Sequence, residues 1–408
     1  MFEPEVNPEN IKKAAFVVAI PSYNEADSIA FPVQQADQGI QLFFGNMESA
    51  IINCDNNSND GTKEVFLGIK TRTPKIYLST EPGIRGKGNN FRNLFKKVVD
   101  LHAKAVVVVD ADLKSITPKW IRHLGEPLFQ DFGYVVPLYV RHKYDGTITN
   151  SIAYPLIRSL YGRRVRQPIG GDFGFCGKLA RTYFHSDTWS DGVANFGIDV
   201  WMTTLAMNEN IPICQAFMGR PKIHRPKDPG SDLGPMFRQV VGTIFDMMIK
   251  FYPFWSQVKW SKPTAIFGFG LGETEMPPPV AVNDEILFRK FQGGFSTYGH
   301  IWETVLSKET VGKLREIREM DQERFDFPTH LWINVLIDFA VAYKDRLWSG
   351  DELLDSLVPL YLGKTLSYVK KTERMSIGES EEFIEEECIQ FEASKGVLIQ
   401  RWNEKPTA

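Results

Sequence analysis

Two carboxylates one residue apart, Asp110 and Asp112, follow a run of valines from Val106 to Val109. An unbroken β-branched run reads as a strand buried on both faces. Ligands of open α/β sheets gather outside the carboxyl ends of such strands. Two acids at that place can hold a divalent cation and a ribose hydroxyl, and the cation's task would be to neutralise a pyrophosphate. A strand-end Asp also caps a following turn. The pair alone therefore leaves a structural and a functional reading open.

Other segments carry matching chemistry. Gly83-Ile84-Arg85-Gly86-Lys87-Gly88 precedes a helical pattern over Asn89 to Leu101. It departs from the P-loop, with Glu81 in place of the first glycine and Gly88 in place of the magnesium-binding hydroxyl residue. A lysine between glycines at a helix start can still present an ammonium and backbone N–H groups to phosphate. Asp199 opens the helical run after Asn195-Phe196-Gly197-Ile198; it serves either the macrodipole or a reacting group. Arg141, after an expected strand from Tyr134 to Val140, offers a bidentate fork for a carboxylate, and Thr147 and Thr149 add short hydrogen-bonding groups. That set suits a small hydroxy acid; its alternative is capping plus a surface arginine. His224, beyond an apparent strand from Ile211 to Met218, lies among Lys222, Arg225 and Lys227. Among cations an imidazole is a poor base and a sensible neutral ligand.

The elements that must position these groups alternate. Ala14 to Ile20 is an apolar run ending in Pro21-Ser22-Tyr23-Asn24-Glu25, and Ile51 to Asp55 is another, followed by Asn56 to Thr62. Each run opens into a polar loop and then a helical pattern, the βαβα rhythm of a mostly parallel sheet with helices on both faces. Asn24, Glu25 and Asp55 stand at strand ends, where they can hydrogen-bond a base or ribose, while Asp60 or Thr62 can cap the next helix.

In this order the motifs resemble the GT-A fold nucleotide-sugar glycosyltransferases. The carrying residues are Pro21 to Glu25, Asp55 to Thr62, Gly86-Lys87-Gly88, Asp110-Ala111-Asp112, Gln167 to Phe173, Phe196 to Asp199 and Lys222 to Arg225. The order is most similar to the mannosylglycerate synthases and glucosyl-3-phosphoglycerate synthases. The resemblance implies a Rossmann-like α/β domain and retaining transfer of glucose or mannose from GDP or UDP to glycerate, yielding a compatible solute. It implies Pro21, Tyr23, Asn24, Glu25, Asp55, Lys87, Asp110 and Ala111 on the donor side, and Gly170, Gly171 and Asp172 with Arg141, Thr147 and Thr149 on the substrate side. It further implies Asp112 and His224 as ligands of Mg²⁺ or Mn²⁺, and an acid near sugar and acceptor at Asp199. Relatives using 3-phosphoglycerate tend to carry Arg directly after the glycine that corresponds to Gly146. Thr147 stands there, which favours free glycerate unless Lys143, Arg163, Arg164 or Arg166 supplies the charge. Retention rests on the resemblance, because spacing does not fix the angle of attack.

Composition bounds the rest. At 408 residues and 43% hydrophobic the chain can fill two domains, expected as residues 1–275, a GT-A domain, and 276–408, a C-terminal α-helical domain. The boundary is placed near Met276-Pro277-Pro278-Pro279, after the glycine-rich Phe267 to Gly272. Helices are expected over Lys308 to Met320, Thr329 to Leu347 and Asp351 to Lys371, and the acidic Glu379 to Glu387 reads as a solvated face. A net charge of −3 argues against nucleic acid as the partner. Four scattered cysteines suit a reducing cytosol, Met1 to Asn10 is unlike a signal peptide, and Val240 to Trp255, the longest apolar candidate, is broken by Asp246 and Lys250. A cytoplasmic location is expected. Trp255, Trp260 and Trp302 belong either to a core or to a surface for homo-oligomer formation. Competing functions are an inverting transferase acting on a larger glycan or lipid, a sugar-phosphate nucleotidyltransferase, and a sugar-nucleotide binding module without catalysis. The two enzymes would be told apart from the main reading by anomeric inversion and by diphosphate release respectively.

Overall fold

The computed structural model describes residues 2–224, 234–268 and 275–404. The chain divides into two compact units. The first takes Met1–Arg141, Val165–Pro226 and Pro263–Pro278; the second takes His142–Arg164, Lys227–Lys262 and Pro279–Ala408. The stretches 142–164 and 227–262, which fall inside the expected 1–275 span, belong to the second unit. Their side chains account for this. Arg158, on the helix Tyr154–Tyr161, pairs with Glu385 and Glu392, and Trp332 Nε1 donates to the Ser151 carbonyl at 2.8 Å.

The first unit holds one sheet of nine strands: β1 (Glu5–Val6), β2 (Phe16–Ser22), β3 (Ser49–Asp55), β4 (Lys75–Ser79), β5 (Ala105–Val108), β6 (Tyr134–Leu138), β7 (Phe173–Cys176), β8 (Ile213–Phe217) and β9 (Ala265–Phe267). Their spatial order is β1-β4-β3-β2-β5-β7-β6-β8-β9. The β4-β3-β2-β5 stretch and the β6-β8-β9 stretch are parallel, whereas β7 runs antiparallel to both neighbours and β1 to β4. This is the mostly parallel α/β sheet the resemblance implies. The central strands are buried along their length, as unbroken apolar runs require. Helices Ala30–Phe43 and Pro118–Gly125 pack Val33, Ile40, Trp120 and Ile121 into one core with Phe16, Val18 and Val107.

The second unit is helical. Its longest members among the described residues are Gly234–Lys250, Asp284–Val305, Thr329–Asp345, Gly350–Thr372 and Ile377–Ala393. Trp255 and Trp302 are core residues here, their indole N–H groups donating to the Met248 and Ser356 carbonyls, while Trp260 is exposed. The acidic run is mostly the expected solvated face, but Glu387 turns inward to Lys364, and the half-exposed Glu385 pairs with the buried Arg158. Among the described residues no helix is long and apolar enough to cross a membrane.

Candidate active site

The loops at the carboxyl ends of β2 and β3 are laced together by short side chains. Asp55, 1% exposed, accepts hydrogen bonds from Ser22 Oγ (2.7 Å), Ser58 N (2.6 Å), Ser58 Oγ (2.6 Å) and Tyr77 OH (2.9 Å). Four donors fill a carboxylate's lone pairs. In this structure Asp55 organises the loops instead of presenting a free edge to a nucleoside. Burial, followed by the Asp55 charge, pushes the Tyr77 hydroxyl well above its ordinary pKa. Asn24 adopts a left-handed conformation (φ 54°), and its N–H donates to Ser58 Oγ at 2.7 Å. Glu25 N donates to Thr62 Oγ1 at 2.9 Å, and Asp60 holds Ala26 N and Thr62 N. The capping and ligand readings of this loop thus share its residues. Tyr23 is exposed beside Pro21, with the Arg85 guanidinium 5.6 Å from its ring centre.

The glycines around Lys87 allow a close approach of backbone to backbone. A Cβ on Gly86 would lie 2.3 Å from the Ala194 carbonyl oxygen, and one on Gly88 would lie 1.8 Å from that of Val193. Gly88 N donates to the Asn195 carbonyl at 3.2 Å. The start of helix Lys87–Asp100 is thereby set against the loop that leads into helix Ile198–Asn208, which carries Asp199 in its first turn.

That contact brings together charges from distant parts of the chain. Lys87 Nζ lies 3.2 Å from Asp110 Oδ1 and 3.4 Å from Asp199 Oδ1. Lys222 Nζ lies 2.6 Å from Asp110 Oδ2 and 3.0 Å from Asp172 Oδ2, and donates to the Gly170 carbonyl at 2.8 Å. Asp172 Oδ1 accepts from Asp110 N at 2.9 Å, and its other oxygen accepts from Tyr139 OH. Arg141 stacks on the Tyr139 ring at 5.2 Å. Burial pushes Lys87 and Lys222 down, but the facing carboxylates outweigh it and hold both above the ordinary lysine value. Burial pushes Asp110 up, and the two lysines overcome it to hold Asp110 far below the ordinary carboxylate value. Asp172, fully enclosed, is raised by burial against the opposing pull of Lys222. Among the described residues no hydrogen-bond donor reaches Asp199 Oδ1, which is buried with only the Lys87 charge nearby.

Asp112 and His224 stand on segments tied to each other. Lys114 N donates to the Ile223 carbonyl at 2.8 Å, and Ile223 N donates to Ser115 Oγ at 2.9 Å. A carboxylate and an imidazole fit Mg²⁺ or Mn²⁺ when phosphate oxygens and water complete the shell. Among the described residues no three His, Cys, Asp or Glu side chains gather as a metal-binding group. A cation here would therefore need the donor's diphosphate. Arg225 and Lys227 lie outside the described residues.

The expected acceptor residues are divided between the two units. Arg141, Gly170, Gly171 and Asp172 belong to the first unit, Thr147 and Thr149 to the second. Thr147 is 6% exposed and its hydroxyl is 2.5 Å from Tyr361 OH; Thr149 lies buried in a π-helical turn. Both are held inside the helical unit. Lys143 donates to the carbonyls of Thr372, Glu373 and Met375 at 2.6, 2.8 and 2.8 Å, so its three protons close a helix C-terminus. Arg164 Nε donates to Ser261 Oγ at 3.1 Å. Lys222 and Tyr139 were not singled out from sequence. The signal for Lys222 was its spacing, two residues before His224, which puts both on one face of an extended segment.

No curated protein matches the chain. Among solved structures it is similar to glucosyl-3-phosphoglycerate synthase from Mycobacterium tuberculosis in complex with Mn²⁺, UDP and phosphoglyceric acid, with 21% identity, a TM-score of 0.44, and 57% of this chain and 78% of that chain covered. The same enzyme with Mg²⁺ and UDP gives 20% identity and a TM-score of 0.45, over 58% and 78% of the two chains. Residues 17–188, which hold Lys87, Asp110, Asp112 and Asp172, match the model of glycosyl transferase family 2.

Proposed function

We propose that this chain is a metal-dependent glycosyltransferase that moves glucose or mannose from a UDP or GDP donor to a small hydroxy acid of the glycerate class, with retention at the anomeric carbon. The observation that carries the reading is the Lys87–Asp110–Asp199 cluster. The Lys87 ammonium is 3.2 Å from the Asp110 carboxylate and 3.4 Å from Asp199, which supports assigning Lys87 to the phosphates, Asp110 to the ribose and Asp199 to the reacting groups. The family match over residues 17–188 supports the transferase class. The solved glucosyl-3-phosphoglycerate synthase complexes hold Mn²⁺ or Mg²⁺ with UDP, and one holds UDP-glucose and phosphoglyceric acid. Free glycerate is the first acceptor in this reading, because Thr147 stands where relatives using 3-phosphoglycerate carry Arg, and 3-phosphoglycerate is the alternative.

The residues divide the work. Tyr23 with Arg85 offers a platform for the base. Lys87 turns from Asp110 and Asp199 toward the diphosphate. Asp112 and His224 would hold Mg²⁺ or Mn²⁺, which supplies charge neutralisation to the leaving diphosphate. Arg141 clamps the acceptor carboxylate. The bond from the anomeric carbon to the diphosphate oxygen breaks and a bond to the acceptor oxygen forms. The acceptor proton leaves with the nucleoside diphosphate, while Asp199 orients the hydroxyl through its unfilled oxygen. A cytoplasmic location belongs to the same reading and agrees with four free cysteines.

The test is a matrix of UDP- and GDP-glucose and -mannose against glycerate, 3-phosphoglycerate and simple sugars, with products identified by mass and anomeric NMR. Nucleoside diphosphate release with a retained hexosyl-glycerate product is expected. Inversion, turnover with glycans alone, or formation of inorganic diphosphate would each replace the proposal.

A further inference from the structure

Lys222 has more contacts at the site than any ligand role requires. Its side chain is 5% exposed, and its three protons meet Asp110 Oδ2, Gly170 O and the Asp172 carboxylate. An ammonium has three donors and no acceptor, so a lysine with this set has none left for a substrate. The contacts are backed by rigid structure. Asp172 is fully buried, fixed by Tyr139 OH on one oxygen and by Asp110 N on the other. Gly171 has φ +80°, and a Cβ there would lie 2.4 Å from Asp110 Oδ2 and 2.7 Å from Lys222 Nζ. The pocket around the Lys222–Asp110 contact is closed to any larger side chain.

We infer that Lys222 is a positioning residue: anchored by Asp172 and Gly170, it holds Asp110 by one oxygen and so leaves Lys87 available to the donor's diphosphate. This rests on the nucleotide-sugar reading above. Without the Lys222 charge, Asp110 would turn its full charge on Lys87, which already faces Asp199. Lys87 would then be bound more firmly to protein carboxylates, and an uncompensated Asp110 would face the incoming phosphates. Lys222 thus controls diphosphate affinity without touching the nucleotide.

The test is a double-mutant cycle read by calorimetry with UDP, GDP, uridine and guanosine, in buffer with Mg²⁺. Lys222→Met should lower affinity for the nucleoside diphosphate that wild type binds by about tenfold, with the nucleoside changed by less than about twofold. In an Asp110→Asn background the same substitution should change diphosphate affinity by less than about twofold, because the charge it restrains is gone. Equal losses in both backgrounds, or equal losses for nucleoside and diphosphate, would overturn the inference and leave Lys222 a packing residue. If Lys222→Met does not unfold cooperatively, Asp172→Asn carries the cycle: it can still accept from Asp110 N–H but no longer anchors Lys222 by charge. A smaller loss with the same dependence on Asp110 is expected, and an additive loss overturns the inference. Should wild type bind neither UDP nor GDP, the nucleotide reading falls and this inference with it. Wild-type binding with an unaffected Lys222→Met variant would sink the inference alone.

Discussion

At the strand ends of the first unit, Lys87 and Lys222 face Asp110, Asp172 and Asp199; inside the helical unit Lys364 faces Glu387. The second pair is closed. Its side chains are 1% and 4% exposed, and Thr329 Oγ1 hydrogen-bonds to both partners. Charges balance and the polar atoms serve one another. The first cluster is built differently. Lys87 and Asp110 keep 17% and 24% of their side-chain exposure, and among the described residues no hydrogen-bond donor reaches Asp199 Oδ1. An enclosed, mutually satisfied pair fixes helices. A partly open cluster with a spare acceptor fits the proposed nucleotide-sugar site.

Substitutions that separate the two kinds of cluster give the sharpest tests. The largest effect is expected at Asp199. Asp199→Asn keeps the volume and removes the charge, so kcat should fall by about a thousandfold with donor affinity little changed, the pattern of an interaction felt in the transition state. Near-normal turnover would reduce Asp199 to a first-turn acid and erase the contrast. Lys364→Met should leave turnover intact and cost about 3 kcal/mol of stability in denaturant unfolding, because Glu387 is left buried without its cation. Lys364→Met with Glu387→Leu should recover most of that loss; a stable single variant would show that the pair does not fix the helices. Lys87→Ala comes next, with diphosphate binding weaker by about 1.5–3 kcal/mol and nucleoside binding little altered. Equal loss for both ligands in calorimetry would assign Lys87 to loop folding.

The smallest effect concerns pH. Lys395 Nζ donates to the Ser159 and Leu160 carbonyls at 2.8 and 3.0 Å, and burial lowers its pKa to about 8 against an ordinary 10.5. A neutral amine keeps two N–H groups, enough for both carbonyls. Between the two values the unfolded chain binds more protons than the folded one, so stability rises with pH through this window. From pH 8 to 9 the gain should be on the order of 1 kcal/mol relative to Lys395→Met. Parallel pH curves for the two proteins would refute it.

The legibility of the molecule in its sequence follows from how local each signal is. The valine run before Asp110, the strands ending at Ser22 and Asp55, and the helices over Lys308–Arg318, Thr329–Asp345 and Gly350–Thr372 are written in short periodic patterns, and each is present. The Gly86-Lys87-Gly88 motif was readable because close backbone approach demands glycine. Lys222 and Tyr139 were not, since their partners lie 112 and 33 residues away. Lys143 was misleading for the same reason: a cation near an arginine suggests a pocket, and only the distant carbonyls of Thr372 to Met375 show its protons spent. Glu387 sits in an acidic run whose composition says solvent, yet helical spacing turns it inward to Lys364.

The seating of Gly86 and Gly88 on Val193 to Asn195 also constrains how such a chain can diversify. The phosphate-side loop and the loop before Asp199 occupy one another's space, so neither can be exchanged alone. Gly88→Ala should already be disruptive, and a graft from a relative would have to carry both segments, more than a hundred residues apart, as a single cassette. In the proposed function, any drift in donor recognition is thereby mechanically geared to the placement of Asp199.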